Sequence, residues 1–200
     1  PVHRLLLPSN HVQNSTPLAS LTNLIYALDI SANEITDLSP VTNLHALTWL
    51  GSWQNKLTRL PSLIGLSDVT SLDFWGNQLT NSSGVSGMTQ LNWLGLSRNY
   101  LTTIQPLSGL PNLGTIDVYT NYLTDISGVA GLTNLTWVNA NENNLQDIHS
   151  LTNLTHLYYA GLLYNLLNTN IASTAMANIA VMQGHGTYVD YIPQKTASSA

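Results

Sequence analysis

The sequence predicts an α/β solenoid. Short parallel strands line a concave sheet, the convex side is mostly extended and 3₁₀, and a helix–strand cap closes the C-terminal end. Three observations predict it. Asparagine recurs at 33, 55, 77, 99, 121, 143 and 165, every 22 residues without a slip. Asn is 22 of the 200 residues, so six further hits at a preset spacing arise by chance about once in half a million tries, which makes the period an internal repeat. Apolar residues hold fixed distances from each of these asparagines. Between copies the chain is too short, and too rich in Pro, Ser and Gly, for a full helix.

With each asparagine of the series taken as position zero, position −5 reads Leu28, Leu50, Leu72, Leu94, Ile116, Val138, Ala160, and position −3 reads Ile30, Ser52, Phe74, Leu96, Val118, Ala140, Leu162. Positions −8 and +2 are apolar throughout. The alternation from −6 to −2 is that of a strand. One short strand per 22 residues can pair only with the copies before and after it, which gives a parallel sheet in a solenoid. The return stretches, such as Leu38-Ser39-Pro40-Val41 and Ile104-Gln105-Pro106-Leu107, suit extended chain and 3₁₀ turns.

The zero column calls for a structural ladder: Asn33, Asn55, Asn77, Asn99, Asn121, Asn143 and Asn165. Where the chain turns inward from the strand, its backbone groups lack sheet partners. An Asn amide offers two donors and an acceptor and can bridge its own turn and the adjacent coil. A mere turn preference does not explain an unslipped period.

The unit LxxLxLxxNxLxxLxxLxxL, with phrases such as Ile35-Thr36-Asp37-Leu38-Ser39-Pro40 and Leu132-Thr133-Asn134-Leu135, resembles the leucine-rich-repeat family in its short, 22-residue bacterial or SDS22-like class, as in internalins. The resemblance implies a right-handed leucine-rich-repeat coil. It also implies a bacterial, extracellular or cell-surface role in adhesion or recognition. The motif residues are all structural, so the resemblance does not name a ligand.

Four segments follow. Residues 1–17 read as a degenerate N-terminal coil, 18–168 as the solenoid, 169–192 as a C-terminal cap, and 193–200 as a polar, flexible tail. Within the cap, Thr169–Gln183 reads as a helix with Ile171, Ala175, Ile179 and Met182 on one face. Gly184-His185-Gly186 then turns into a strand over Thr187–Ile192. A chain starting at Pro1 reads as a mature or excised piece.

Composition excludes several functions. Only 8% of residues are charged, there are five Lys and Arg, and the net charge is −5. A nucleic acid or an anionic membrane surface demands a basic face, so neither is expected. No apolar run reaches the roughly 18–20 residues of a membrane helix. With no cysteine there is no disulfide framework or thiolate metal site. The six histidines share no spacing, and no nucleophile motif, phosphate loop or zinc spacing is present. No cofactor, metal or catalytic residue is expected.

What remains is the outward face of the strands. Position −6 reads Ala27, Trp49, Ser71, Trp93, Thr115, Trp137, Tyr159; position −4 reads Asp29, Gly51, Asp73, Gly95, Asp117, Asn139, Gly161; position −2 reads Ser31, Trp53, Trp75, Ser97, Tyr119, Asn141, Leu163. All five tryptophans fall in two of these columns. Random placement in three of 22 columns achieves that about once in 20,000 tries, and exposed aromatics on a sheet mark an interaction surface. The columns also alternate with a 44-residue period. Coils with Trp at −6 carry Gly or Asn at −4, and the coils between carry a small residue and Asp. Trp53 and Trp75, on adjacent coils, are placed to stack. Asp29, Asp73 and Asp117 stand in a row at predicted separations of ~10 and ~20 Å, at or beyond the range of a glycosidase pair.

The expected ligand-binding set is therefore Trp49, Trp53, Asp73, Trp75, Trp93, Asp117, Tyr119, Trp137 and Tyr159. The expected function is a non-enzymatic extracellular recognition or adhesion module that binds a protein, peptide or glycan through this concave face. The alternative is a structural self-assembly subunit of a fibre or surface layer, a homo-oligomer using the same face or the solenoid edges. A third, bland alternative is that the indoles only cover the sheet and its glycines.

Overall fold

The computed structural model describes residues 3–195. Nine parallel strands form one sheet in sequence order: β1 (Arg4–Leu6), β2 (Ala27–Asp29), β3 (Trp49–Gly51), β4 (Ser71–Asp73), β5 (Trp93–Gly95), β6 (Thr115–Asp117), β7 (Trp137–Asn139), β8 (Tyr159–Gly161) and β9 (Tyr188–Asp190). From β2 to β8 the register follows the repeat, with Ala27 opposite Trp49, Trp49 opposite Ser71, and so on to Tyr159. Return segments carry 3₁₀ turns such as Ser39–Val41, Gln105–Leu107 and His149–Leu151. The coil after Asn55 has Leu60-Pro61 there and no 3₁₀ turn. Thus the strand, the 3₁₀ convex side and the solenoid all match the periodicity.

The core is the set of columns that point inward. Position −5 is buried from Leu28 to Ala160, and position −3 from Ile30 to Leu162, Ser52 included. Leu63, Leu107 and Leu151 close it from the return side. Each coil needs its neighbours to bury these faces, so the ends require other solutions.

Each ladder asparagine bridges two coils. Asn99 is typical: its Oδ1 accepts the Leu79 amide at 2.9 Å, and its Nδ2 donates to Phe74 O at 3.0 Å in the preceding coil and to Leu96 O at 2.9 Å in its own. The same contacts recur from Asn55 to Asn165. At the N-terminal end Asn33 accepts the amides of Asn10 and Val12 instead. The residue just before each ladder asparagine is left-handed: Ala32 (φ 51°), Gln54 (49°), Gly76 (68°), Arg98 (53°), Thr120 (52°), Glu142 (56°) and Tyr164 (53°). This turn aims the amide inward.

The ends differ in detail from the expectation. β1 pairs with β2 across a 23-residue offset, and the 3₁₀ turn Thr16–Ser20 spans the boundary placed at 17/18. The helix, α1, runs Thr174–Gly184 rather than Thr169–Gln183. Ser173 is its N-cap, with its Oγ accepting the Met176 amide at 3.2 Å. Before it, Asn168 Oδ1 accepts the Asn170 amide. Such side-chain turns compete with helix. Ile171 is consequently outside the helix and 96% exposed, while Ala175, Asn178, Ile179 and Met182 face the core. The strand is Tyr188–Asp190, shorter than Thr187–Ile192, and Tyr188 pairs with Tyr159. Of the expected flexible tail, residues 193–195 are fixed against the last coils. Lys195 Nζ donates to Asn143 O and to Asn144 Oδ1 at 2.8 Å, and its amide donates to Asn165 O. Residues 196–200 lie outside the described residues.

Candidate functional site

The strands bring Trp49, Trp53, Asp73, Trp75, Trp93, Asp117, Tyr119, Trp137 and Tyr159 onto one concave surface, at positions −6, −4 and −2 of consecutive coils. Their geometry falls into three groups.

At position −6 the rings lie over the sheet. Trp49 covers Gly51 so closely that a Cβ there would collide with the indole. Trp93 covers Gly95, where a Cβ would stand 2.6 Å from Cη2. The 44-residue alternation has this cause: a flat indole needs glycine two residues on. Trp137 is followed by Asn139 instead, and it is 38% exposed where Trp49 and Trp93 are half-buried. It stacks on Tyr159 at 4.1 Å and 24°, and Tyr159 stacks on Tyr188 of β9 at 6.1 Å and 14°.

At position −2, Trp53 and Trp75 meet edge to face, with centroids 6.3 Å apart and planes at 65°. The face-to-face stack that adjacency suggested is not formed; edge contacts suit the ring quadrupole. Trp75 Nε1 donates to Tyr119 Oη at 2.6 Å, two coils away. The Arg98 guanidinium sits 5.4 Å from the Trp75 ring and 6.0 Å from that of Tyr119, a cation–π arrangement.

The third group is acidic. Asp73 Oδ1 accepts the Trp75 amide at 3.0 Å, Asp117 Oδ1 accepts Ser97 Oγ at 2.8 Å, and Asp29 Oδ1 accepts the Ser31 amide at 3.0 Å. Burial pushes the Asp73 carboxyl above its ordinary range, and the charges of Asp117 and Asp29 add to this. Burial likewise raises Asp117. Asp29 and Asp73 are used within their own turns and Asp117 by Ser97 of the preceding coil, and the three do not converge. Among the described residues no three His, Asp or Glu side chains are grouped to hold a metal ion, and no helix is long and apolar enough to cross a membrane.

The sequence reading passed over Arg98, which joins Trp75 and Tyr119. Its column, position −1, has no common chemistry, so no periodic signal marked it. Tyr188 was also passed over, because its spacing of 29 from Tyr159 breaks the period. The tyrosines at +1, Tyr100 and Tyr122, did carry a period-22 signal.

Comparison with known proteins now bears on the fold. A family model for leucine-rich repeats, in two copies, matches residues 89–131. No curated protein matches the sequence. Among solved structures, an internalin C2 from Listeria monocytogenes is similar with TM-score 0.80 and 28% identity, over 96% of this chain and 80% of that one. An internalin F from the same organism has TM-score 0.79 and 26% identity over 92% of this chain and 52% of its own. A leucine-rich-repeat protein from Leptospira interrogans has TM-score 0.84 and 25% identity over 96% and 49%. The chain thus spans about half the length of the latter two. The unbroken ladder, the single parallel sheet and these likenesses agree: the chain folds as a leucine-rich-repeat solenoid and is similar to proteins of the internalin-like class.

Proposed function

We propose that this chain is a non-enzymatic extracellular recognition module that binds a protein partner through its concave aromatic face. Solenoids of this class generally serve protein interaction, which supports the coarse reading. The observation that carries the finer one is the cluster of Trp53, Trp75, Tyr119 and Arg98. Its indole N–H, phenol and guanidinium are fixed against one another before any partner arrives. Aromatic and arginine side chains held rigidly at the centre of a concave surface are the chemistry of binding hot spots. The carboxylates of Asp29, Asp73 and Asp117 stand in a row and accept hydrogen bonds from neighbouring groups, which supports the non-enzymatic reading.

A second reading rests on a separate observation. The stack Trp137–Tyr159–Tyr188 leads to β9, the C-terminal edge of the sheet, and Tyr188 is 63% exposed. An aromatic run ending at a sheet edge suits contact with another copy of the chain.

Trp75→Ala and Tyr188→Ala separate the readings. In Trp75→Ala, partner binding by a panel of cell-surface proteins should weaken by about 2 kcal/mol or more, roughly 30-fold, with the melting temperature nearly kept. A change in mass in solution in Tyr188→Ala, with partner binding kept, would favour assembly. A drop in melting temperature alone in Trp75→Ala would overturn the concave-face reading, and an unchanged mass in Tyr188→Ala the assembly reading.

A further inference from the structure

Beside the ladder, on the loop edge of the solenoid and outside the concave face, runs an open trough of about 1180 Å³. Asn77, Asn99 and Asn121 form its floor, and the columns on either side of the ladder form its walls. Gln194 and Lys195 close its C-terminal end.

One wall is the left-handed column at position −1. Glycine adopts that backbone freely, and Gly76 does so. The next four coils nevertheless hold Arg98, Thr120, Glu142 and Tyr164 there, at φ between 52° and 56°. For the β-branched Thr120 this is a marked outlier. All four side chains line the trough. The same angle recurs at Ala32 and Gln54 outside the trough, so the repeat sets the backbone and leaves this column free to vary in side chain. Thr120 Oγ1 donates to Glu142 Oε2 at 2.8 Å, which fixes the carboxylate.

The other wall is aromatic. Tyr100 and Tyr122 stack at 6.1 Å and 29°, and each is about half exposed, 50% and 53%. The backbone beneath them is already used: the amides of Tyr100, Tyr122 and Asn144 donate to Leu79, Leu101 and Leu123 of the preceding coils. A ligand here is met by side chains alone. An extended peptide would find no free strand edge to pair with.

We propose that this trough binds a short neutral oligosaccharide. Tyrosine rings offer rigid apolar surface for the C–H faces of sugar rings. The Glu142 carboxylate and the Asn144 amide offer acceptors and donors for ring hydroxyls. The lining carries Arg98, Lys195 and Glu142 as its charged side chains. The Arg98 guanidinium lies over the Trp75 and Tyr119 rings and Lys195 Nζ is engaged by Asn143 and Asn144, so no basic patch awaits a polyanion. The trough extends over the coils from Asn77 to Tyr164, about 19 Å at the spacing of strands, enough for several sugar rings.

The test uses the full chain on an array of neutral oligosaccharides, with a peptide array in parallel. The variants are Tyr122→Ala, Glu142→Gln and Ile171→Ala, each checked by its melt. The expected result is binding of a neutral glycan that falls roughly tenfold or more in Tyr122→Ala and Glu142→Gln and is unchanged in Ile171→Ala, whose side chain is exposed and lies in neither surface. Absence of any neutral glycan signal, binding to peptides only, or full retention of binding in Tyr122→Ala would overturn it. Neither Tyr122 nor Glu142 belongs to the concave cluster, so failure here leaves the concave-face reading standing.

Discussion

Gln194 holds the Leu167 amide just as each ladder asparagine holds the coil before it. Its Oε1 accepts the Leu167 N–H at 3.2 Å, and its Nε2 donates to Leu162 O at 2.9 Å. Since Tyr188 pairs with Tyr159, Gln194 also stands six residues beyond the start of its strand, as Asn165 does. The cap is therefore one more coil in hydrogen-bonding terms, closed by a different amide.

Gln194→Ala should orphan the Leu167 amide and take from the Leu162 carbonyl one of its two donors, Asn165 Nδ2 remaining. A buried polar group left unpaired costs about 1–3 kcal/mol. The expected outcome is a melting temperature lowered accordingly, with hydrogen exchange accelerated at Leu167 and in β9 but not in β4. Uniform exchange along the sheet would show that Gln194 does not close the ladder.

Asn99→Ala removes four such bonds from the middle of the solenoid, where no end can fray to relieve them. Its cost should also lie near 1–3 kcal/mol, below the roughly 2–5 kcal/mol of Leu94→Ala in the core. Denaturant unfolding checks this, and a variant as stable as the parent would refute the ladder's structural role.

Gly51→Ala should force the Trp49 indole off the sheet. Overpacking of this kind costs about 1–3 kcal/mol. In a Trp49→Ala background the same change should cost under about 0.5 kcal/mol, since contacting residues couple and separate ones add. Equal costs in the two backgrounds would show that the ring is not what excludes a side chain there.

Asp73 gives a pH signature. Burial raises its folded pKa above the unfolded one. Such a carboxyl favours the fold when protonated. That contribution is complete below the unfolded pKa and is lost as pH rises through the folded pKa. Asp73→Asn keeps an oxygen for the Trp75 amide and removes the buried charge. It should melt higher than the parent at neutral pH, with the gain vanishing as pH falls below the ordinary carboxylate range. A difference that is constant with pH would contradict this.

The repeat made the solenoid legible because each coil solves the same problem: an inward Leu at −5, an amide at zero, a polar or aromatic residue facing out. From Leu28 to Leu167 local pattern and tertiary contact coincide. The ends obey geometry without period. Gln194 does the work of asparagine at a spacing of 29, and Ser173 caps a helix that starts five residues later than the apolar pattern suggested. On the concave face the columns placed the tryptophans together but could not fix their planes. Those depend on contacts between coils, such as the phenol of Tyr119 reaching Trp75 across two strands. The left-handed wall of the trough is a column of unrelated residues, whose shared property is a backbone angle and not a side-chain type.

The placement of indole over glycine has a consequence for how such a chain can change length. Trp49 and Trp93 need glycine beneath them and a small residue beside them at −6, which Ser71 supplies between them. Remove one coil from this stretch and two indoles would be forced side by side at strand spacing, about 4.8 Å. Remove two, and the alternation rejoins in phase while the ladder continues unbroken. Between Trp49 and Trp93 the sheet thus favours change by pairs of coils, whereas Trp137 and Tyr159, stacked on adjacent coils with no glycine under the indole, show where a single coil can be added.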